Sequence, residues 1–226
     1  MIQANPYTIK FKQQMQEMLQ EGSIQARSLK VKRNDHIYTC GDHDEMVYFI
    51  VSGQVKLLMV SPEGKECILA IHTAGDIFGE LSLSGTGPRL ETAAAMGTTI
   101  LKQIPSSRFV ERLNRDSLVE GFIRYLAARI ADQQQVIANL VTVDSEQRLG
   151  KTLLQLAHTF GKKDPRSIRI ELRISHEELS AMIGTTRPRV SVFMQRFKNM
   201  GLIELNADHY LIIKEDKLTT YLESQA

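Results

Sequence analysis

Cysteine is scarce: the 226-residue chain has two, Cys40 and Cys67, far apart and outside any C-x-x-C spacing. That argues against a disulfide framework or an iron-sulfur cluster and leaves two idle or buried thiols. Nowhere do about 18 apolar residues run together, the length a membrane-crossing helix needs. The opening MIQANPYTIKFKQQMQ lacks both a charged stretch leading into an apolar one and a cleavage site, so the expectation is a cytoplasmic protein with no membrane partner. His36, His43 and His72 are scattered with no H-x-H pair, and no Ser/His/Asp arrangement, phosphate loop or dinucleotide fingerprint occurs. No catalytic residue and no metal ligand is therefore expected, and the chain does not read as an enzyme. What is left is an ordinary globular composition, 42% hydrophobic and 24% charged, in a chain long enough for one large or two moderate domains.

The most informative stretch is Ile174 to Gly201, ISHEELSAMIGTTRPRVSVFMQRFKNMG. Ser175 and Glu178 have the spacing of a capping box, with Ile174 placed to staple onto Leu179, so a helix starts near His176. Leu179, Met182 and Ile183 form its apolar face. Gly184 permits the left-handed residue that ends it, and Thr185 and Thr186 offer hydroxyls to cap a second helix. Pro188 falls in that helix's first turn, where a missing N–H costs little, and Val190, Phe193, Met194 and Phe197 repeat at helical spacing up to Gly201. The outer face keeps Thr186, Arg187 and Arg189, then Gln195, Arg196 and Lys198. From Lys162 to Lys198 nine Lys or Arg face four acids, a local balance of +5 against +2 for the chain. This predicts a helix-turn-helix whose second helix lies in the major groove of double-stranded DNA, with Arg187 reading a guanine. The plainer alternative is a helical hairpin with a solvated charged face.

Upstream, Phe11 to Leu19 reads as a short amphipathic helix. From Leu29 to about Ile104 the pattern turns to β-rich runs: Met46 to Val51, Gln54 to Val60, Glu66 to His72 and Thr98 to Ile104, punctuated by turn chemistry at Ser52-Gly53 and Pro62-Glu63-Gly64-Lys65. Closely spaced strands with tight turns imply an antiparallel roll whose interior can hold a small ligand. Gly75-Asp76-Ile77-Phe78-Gly79-Glu80-Leu81 followed by Pro88-Arg89 interrupts it like a binding cassette.

Between about Asp116 and Val143, Ile123, Ile130 and Ile137 recur seven apart, with Leu126, Gln133 and Leu140 three residues after each. That is a heptad seam, and Ile at a with Leu at d favours a parallel two-stranded coiled coil. A homodimer is expected, with Gln133 the polar member that sets register; the alternative is a helix buried against its own β-domain. Ser145 is placed to cap a helix Glu146 to Phe160 whose Leu149, Leu153, Leu156 and Phe160 face a core, and Gly161 ends it. Residues 163–167 read as a loop, Ile168 to Leu172 as a strand, and Gly201 to Leu205 with His209 to Ile213 as the hairpin of a winged helix-turn-helix. The tail from Lys217 to Ala226 forms at most a short last helix.

A β-roll carrying G-D-I-F-G-E-L and P-R, then a long helix, then a helix-turn-helix resembles the CRP/FNR family of bacterial transcription regulators across essentially the whole chain. The resemblance implies an α+β chain: an N-terminal antiparallel β-roll or jelly-roll sensor domain over 1–115, a long dimerisation helix over 116–143 and a winged helix-turn-helix over 144–226. It implies a sequence-specific regulator that binds an inverted repeat as a homodimer, with RNA polymerase as a further partner. At the DNA it points to Ser175, His176, Thr186, Arg187, Pro188, Arg189, Val192 and Gln195, where Arg189 matches a phosphate-contacting position. Pro188 and Val192 stand where the family often carries a base-reading glutamate and an arginine. For a small-molecule or nucleotide effector it points to Gly79, Glu80, Leu81, Arg89 and Leu90, with Gln133 and Gln134 from the long helix. The glycine and glutamate would hold a ribose hydroxyl and the arginine a cyclic phosphate. This chain departs from cyclic-AMP binders at Leu90 and Glu91, where a small hydroxyl residue and an alanine are usual, and at Gln133 and Gln134, where the family supplies hydroxyls to adenine. Weak or absent cyclic-AMP binding is the expectation, and Glu80 with Arg89 can also be read as a structural ion pair. Beside the ligand-responsive regulator stand three alternatives: a ligand-independent regulator with a vestigial pocket, a nucleotide-binding module of a larger signalling assembly, and a metal-dependent cupin-type enzyme.

Overall fold

The computed structural model describes residues 6–22, 24–85 and 87–225. The first five residues, where no leader is expected, and Ala226 of the tail lie outside them. The chain forms two compact units, 1–134 and 135–226.

The first unit runs α1 (Pro6–Gln20), β1 (Arg27–Val31), β2 (His36–Tyr38), β3 (Met46–Ser52), β4 (Gln54–Val60), β5 (Glu66–Thr73), β6 (Ile77–Phe78), a 3-10 turn Glu80–Ser84, β7 (Thr92–Ala95), β8 (Thr99–Pro105), α2 (Ser106–Arg115) and α3 (Val119–Thr142), within which the unit boundary falls. Its strands make two antiparallel sheets, β1-β8-β3-β6 and β2-β7-β4-β5. Ser52-Gly53 therefore joins β3 of one sheet to β4 of the other. Gly53 has a φ of +91°, and a Cβ there would collide with the Thr99 Oγ1, so no larger residue fits this corner. The Pro62–Lys65 turn closes the β4–β5 hairpin, with the Ser61 N–H donating to the Lys65 carbonyl at 2.9 Å.

β3 reads as a continuous apolar run because it has two buried faces. Val47 and Phe49 pack with Phe11, Met15, Phe109, Phe122 and Tyr125 of the three helices. Tyr48 and Ile50 point the other way, into the space between the sheets with Tyr38, Val55, Leu57, Phe78, Ala93 and Leu101. α3 divides its faces likewise: Phe122 and Tyr125 are buried and Leu126 packs against that core. Ile123, Ile130 and Ile137 are 59%, 54% and 62% exposed, and Gln133 and Leu140 are exposed as well. The helix buries one stripe on its own roll and leaves the a positions of the seam uncovered in the single chain.

In the second unit follow α4 (Ser145–Phe160), β9 (Gly161–Asp164), β10 (Ser167–Ile170), α5 (His176–Ile183), α6 (Arg187–Asn199), β11 (Ile203–Leu205), β12 (Leu211–Ile213) and α7 (Glu215–Glu223), with a sheet ordered β11-β12-β10-β9. Two expectations are corrected here. Asp144, not Ser145, caps α4: its carboxylate accepts from the Glu146 and Gln147 N–H groups at 2.8 and 2.9 Å, whereas Ser145 is buried. An ionised carboxylate makes the stronger cap. And the expected loop at 163–167 is mostly ordered, because Gly161 opens strand β9, which pairs with β10.

Candidate DNA interface and effector cassette

The helix-turn-helix is built as its sequence implies. Ser175 caps α5 in a complete capping box, its hydroxyl accepting from the Glu178 N–H at 3.1 Å while the Glu178 carboxylate accepts from the Ser175 N–H at 2.9 Å. Gly184 takes the left-handed conformation, φ +65°, that ends α5. Leu179, Ile183, Val190, Met194 and Phe197 are buried between α5 and α6, while Phe193 is half-buried. Thr186 occupies the N-cap of α6 without accepting a cap hydrogen bond. Pro188 at the second helical position has no N–H to offer, which leaves only that of Arg189 for such a cap.

Arg148, which sequence reasoning did not single out, fastens the turn. Its Nε donates to the Ile183 carbonyl at 2.9 Å, and its Nη1 donates to those of Val143 at 2.6 Å and Leu140 at 3.2 Å. One guanidinium thus satisfies the closing carbonyls of α5 and the region ending α3.

Of the side chains expected at DNA, Ser175, Thr186, Arg187, Pro188, Arg189, Val192 and Gln195 are exposed and His176 is half-buried. The His176 Nδ1 lies 2.9 Å from the Ser191 hydroxyl, a contact that joins the two helices; burial, then the charges of Lys198 and Arg187, hold this imidazole below its ordinary pKa. Among the described residues, Arg187 and Arg189 enter no ion pair. Arg196 differs: its guanidinium donates to Glu146 at 2.6 Å, and the Tyr221 hydroxyl donates to the same carboxylate at 3.0 Å. Arg196 therefore braces α6 on α4, and the donors left at the start of α6 are Arg187 and Arg189, at the positive end of a helix with no acid in its first turn.

In the first unit the cassette is crowded. Gly79 has a φ of +77°, and a Cβ there would come within 3.1 Å of the Arg89 Nη1, the Met46 carbonyl and the Tyr48 ring. Arg89 is buried; it donates from Nη1 to the Gly79 carbonyl at 2.7 Å and from Nη2 to that of Met46, and lies 4.2 Å from the Tyr38 ring centroid. Its acid partner is Asp44, whose Oδ1 stands 3.0 Å from Nη2 as an ion pair without hydrogen-bond alignment. The reading of Glu80 and Arg89 as each other's ion-pair partner is thereby corrected. Glu80 pairs instead with Arg129 of α3 at 3.0 Å, a residue missed because it lies outside the heptad positions. Burial works against the charge of Arg129, but the charge and hydrogen bond of Glu80 together with Tyr125 and Asp76 outweigh it, and the guanidinium is held more firmly protonated.

Glu91 is buried and accepts from the Tyr38 hydroxyl at 2.9 Å. Burial lifts its carboxyl above the usual range, with the Glu80 charge adding to the rise and the Tyr38 bond and Arg89 opposing it. Leu81 and Leu90 are exposed and line, with Asp44, Ser82, Pro88 and Arg89, a cavity of about 290 Å³. Gln133 and Gln134 are exposed and do not line it. Among the described residues, three buried polar atoms here have no hydrogen-bond partner: Arg89 Nε, Glu80 Oε2 and the ion-paired Asp44 Oδ1.

At the start of the cassette, Tyr125 bridges the Ile77 N–H and carbonyl at 3.1 Å each, and Asp76 pairs with Lys12 and His72. Burial would push the Asp76 carboxyl up, but its bonds and charges with His72 and Lys12 outweigh it and hold the group well below the usual range. A depressed folded-state value means the stabilisation is complete above the unfolded carboxylate value of about 3.9 and is lost as pH falls through the lower folded value. Asp76→Asn should cost about 2 kcal/mol at neutral pH and flatten the decline in acid. Urea unfolding of both proteins between neutral and acid pH checks this; parallel curves would dismiss the role.

No helix is long and apolar enough to cross a membrane, and no cluster of three or more metal-binding side chains occurs, both among the described residues. Residues 28–116 match the cyclic nucleotide-binding domain family and residues 147–221 the Crp-like helix-turn-helix domain family. The chain is 30% identical over 197 residues to the CRP-like cAMP-activated global transcriptional regulator of Mycobacterium tuberculosis, covering 86% of this chain and 87% of that one. It is 31% identical over 193 residues to the global nitrogen regulator of Synechococcus elongatus, covering 83% and 86%. Among solved structures, a CooA mutant from Carboxydothermus hydrogenoformans superposes with a TM-score of 0.73 at 28% identity, covering 87% of this chain and 88% of that one. A cyclic nucleotide-binding domain followed by a Crp-like helix-turn-helix domain defines a DNA-binding transcription regulator. The chain belongs to the CRP/FNR family of transcription regulators.

Proposed function

We propose that the protein binds an inverted-repeat operator as a homodimer, with residues 1–115 as sensor, 116–143 as dimerisation helix and 144–226 as reader. The observation that carries it is the solvent-facing start of α6, where Arg187 and Arg189, without acid partners among the described residues, stand beside Thr186, Pro188, Val192 and Gln195. Ser175 and His176 flank that face from the start of α5. The seam Ile123, Leu126, Ile130, Gln133, Ile137 and Leu140 supports a second copy, because three isoleucines seven apart stay more than half exposed in the single chain. RNA polymerase is the further partner that membership of the family suggests. Selection of bound duplexes from a random pool should return an inverted repeat with half-sites about one helical turn apart; a pool with no common element would overturn the reading.

For the effector, a specific observation favours the ligand-independent alternative: the chain supplies its own anion to Arg89. Asp44 stands on the guanidinium that a cyclic phosphate would need, the Gly79 and Met46 carbonyls take further donors, and Glu91 adds a second carboxylate nearby. An incoming phosphate must displace Asp44 from its ion pair, and each hydrogen bond of the guanidinium to the Gly79 and Met46 carbonyls that it breaks is worth about 1.5–3 kcal/mol. The unpartnered Arg89 Nε and Glu80 Oε2 could take one acceptor and one hydroxyl, which is less than a cyclic nucleotide asks. Cyclic AMP should therefore give no submicromolar isotherm with the purified protein, and DNA binding should not require it. A tight, stoichiometric isotherm lost in Arg89→Ala would show the cassette to be a working nucleotide site.

A further inference from the structure

α6 carries large apolar side chains in two settings. Val190, Met194 and Phe197 are 2% exposed or less, as a packed helix requires, whereas Val192 is 58% exposed. Valine is a poor helix former and gains nothing from solvent. Its place on the helix makes it more than a stray surface residue: it lies four residues after Pro188 and three before Gln195, so exposed Pro188, Val192 and Gln195 follow one stripe beside Arg187 and Arg189. The side chain at 191 cannot substitute for it, because the Ser191 hydroxyl is engaged with His176 and with the Arg187 carbonyl. In the middle of the proposed reading face, then, stand two groups, a pyrrolidine ring and an isopropyl, that can neither donate nor accept a hydrogen bond.

Only one base feature in the major groove suits such a surface, the C5 methyl of thymine. A cytosine amino group or guanine carbonyl pressed against Val192 would lose its water without gaining a partner. We infer that Val192, flanked by Pro188, selects a thymine in each half-site by its methyl group; this rests on the reading of α6 as the base-contacting helix. Five residues of helix advance about 7 Å, so the thymine lies roughly two base-pair steps of 3.4 Å from the guanine read by Arg187.

Deoxyuridine differs from thymidine by that methyl alone. In an operator duplex obtained by selection from a random pool, each half-site thymine is replaced in turn by deoxyuridine and binding measured with wild type, Val192→Ala and Val192→Thr. One position should weaken wild-type binding about fourfold per half-site, the worth of a buried methyl, and on the order of fifteenfold when both half-sites are changed. Val192→Ala should bind thymine and deoxyuridine duplexes alike, and Val192→Thr, which keeps a methyl in place, should retain part of the difference. The site is exposed, so unchanged thermal unfolding will show that the variants are folded. Loss of discrimination confined to Val192→Ala supports the inference. If every deoxyuridine is harmless, or the penalty persists undiminished in Val192→Ala, the methyl is not read by this residue. Selection that still yields an Arg187-dependent operator in that case leaves the DNA reading intact; selection that yields none removes both.

Discussion

Ile130→Asp should leave the purified protein monomeric at micromolar concentration and deprive it of tight binding to a two-half-site operator. Ile130 is 54% exposed in the single chain and sits at the middle a position of the seam. In a symmetric pair the change acts twice. Each copy forfeits the burial of an isoleucine, about 1.5–3 kcal/mol, and each brings a carboxylate to an apolar seam where its desolvation is uncompensated. A total above about 5 kcal/mol corresponds to several thousandfold in the dissociation constant. Because the side chain lies off the roll's own core, thermal unfolding of the monomer should change little. Sedimentation velocity separates the outcomes: a variant that stays dimeric places the interface elsewhere than on α3.

Arg187→Ala and Arg189→Ala should fail in different ways. Loss of a bidentate guanine contact costs about 1–3 kcal/mol and relaxes discrimination at one base pair of each half-site, so Arg187→Ala should weaken operator binding while sparing random DNA. Arg189, two residues further on, is expected on a phosphate; its removal should weaken all duplexes nearly equally and lower the salt dependence by about one ion per half-site. Neither change should disturb folding, since both side chains are exposed and outside any ion pair among the described residues. Equal losses on operator and random DNA for Arg187→Ala would defeat the assignment.

What could be read from the residues follows from how local the determining interactions are. The capping box at Ser175 and Glu178, the left-handed Gly184 and the exposure of Arg187 are settled within one or two turns of helix, and all were legible. The heptad spacing of α3 was legible for the same reason. β7 was not: Thr92–Ala95 is buried at every position, so it shows no alternation and reads as a small-residue loop. β6 has two residues and exists by pairing with β3. α2 was missed between a strand and a turn, although Phe109 and Leu113 give it a buried face. In the cassette, residue types were readable but partners were not. Asp44 meets Arg89 across 45 positions, and Arg129 meets Glu80 across 49, distances at which a single sequence carries no pairing signal.

The absence of tryptophan turns the crowded cassette into an optical reporter. The near-ultraviolet absorbance and circular dichroism of this chain come chiefly from six tyrosines, and three of them cluster here: Tyr38 bonded to Glu91, Tyr48 to Asp44, and Tyr125 to the Ile77 backbone. Each is almost wholly withdrawn from solvent, which fixes ring orientation and gives a phenol a sharp, chiral signature. Arg89 lies over the Tyr38 ring, so anything that draws the guanidinium away from Asp44 alters the electric field on two chromophores at once. The state of the cassette can thus be followed in the unlabelled, unmutated protein by difference spectroscopy, with no indole signal to mask it.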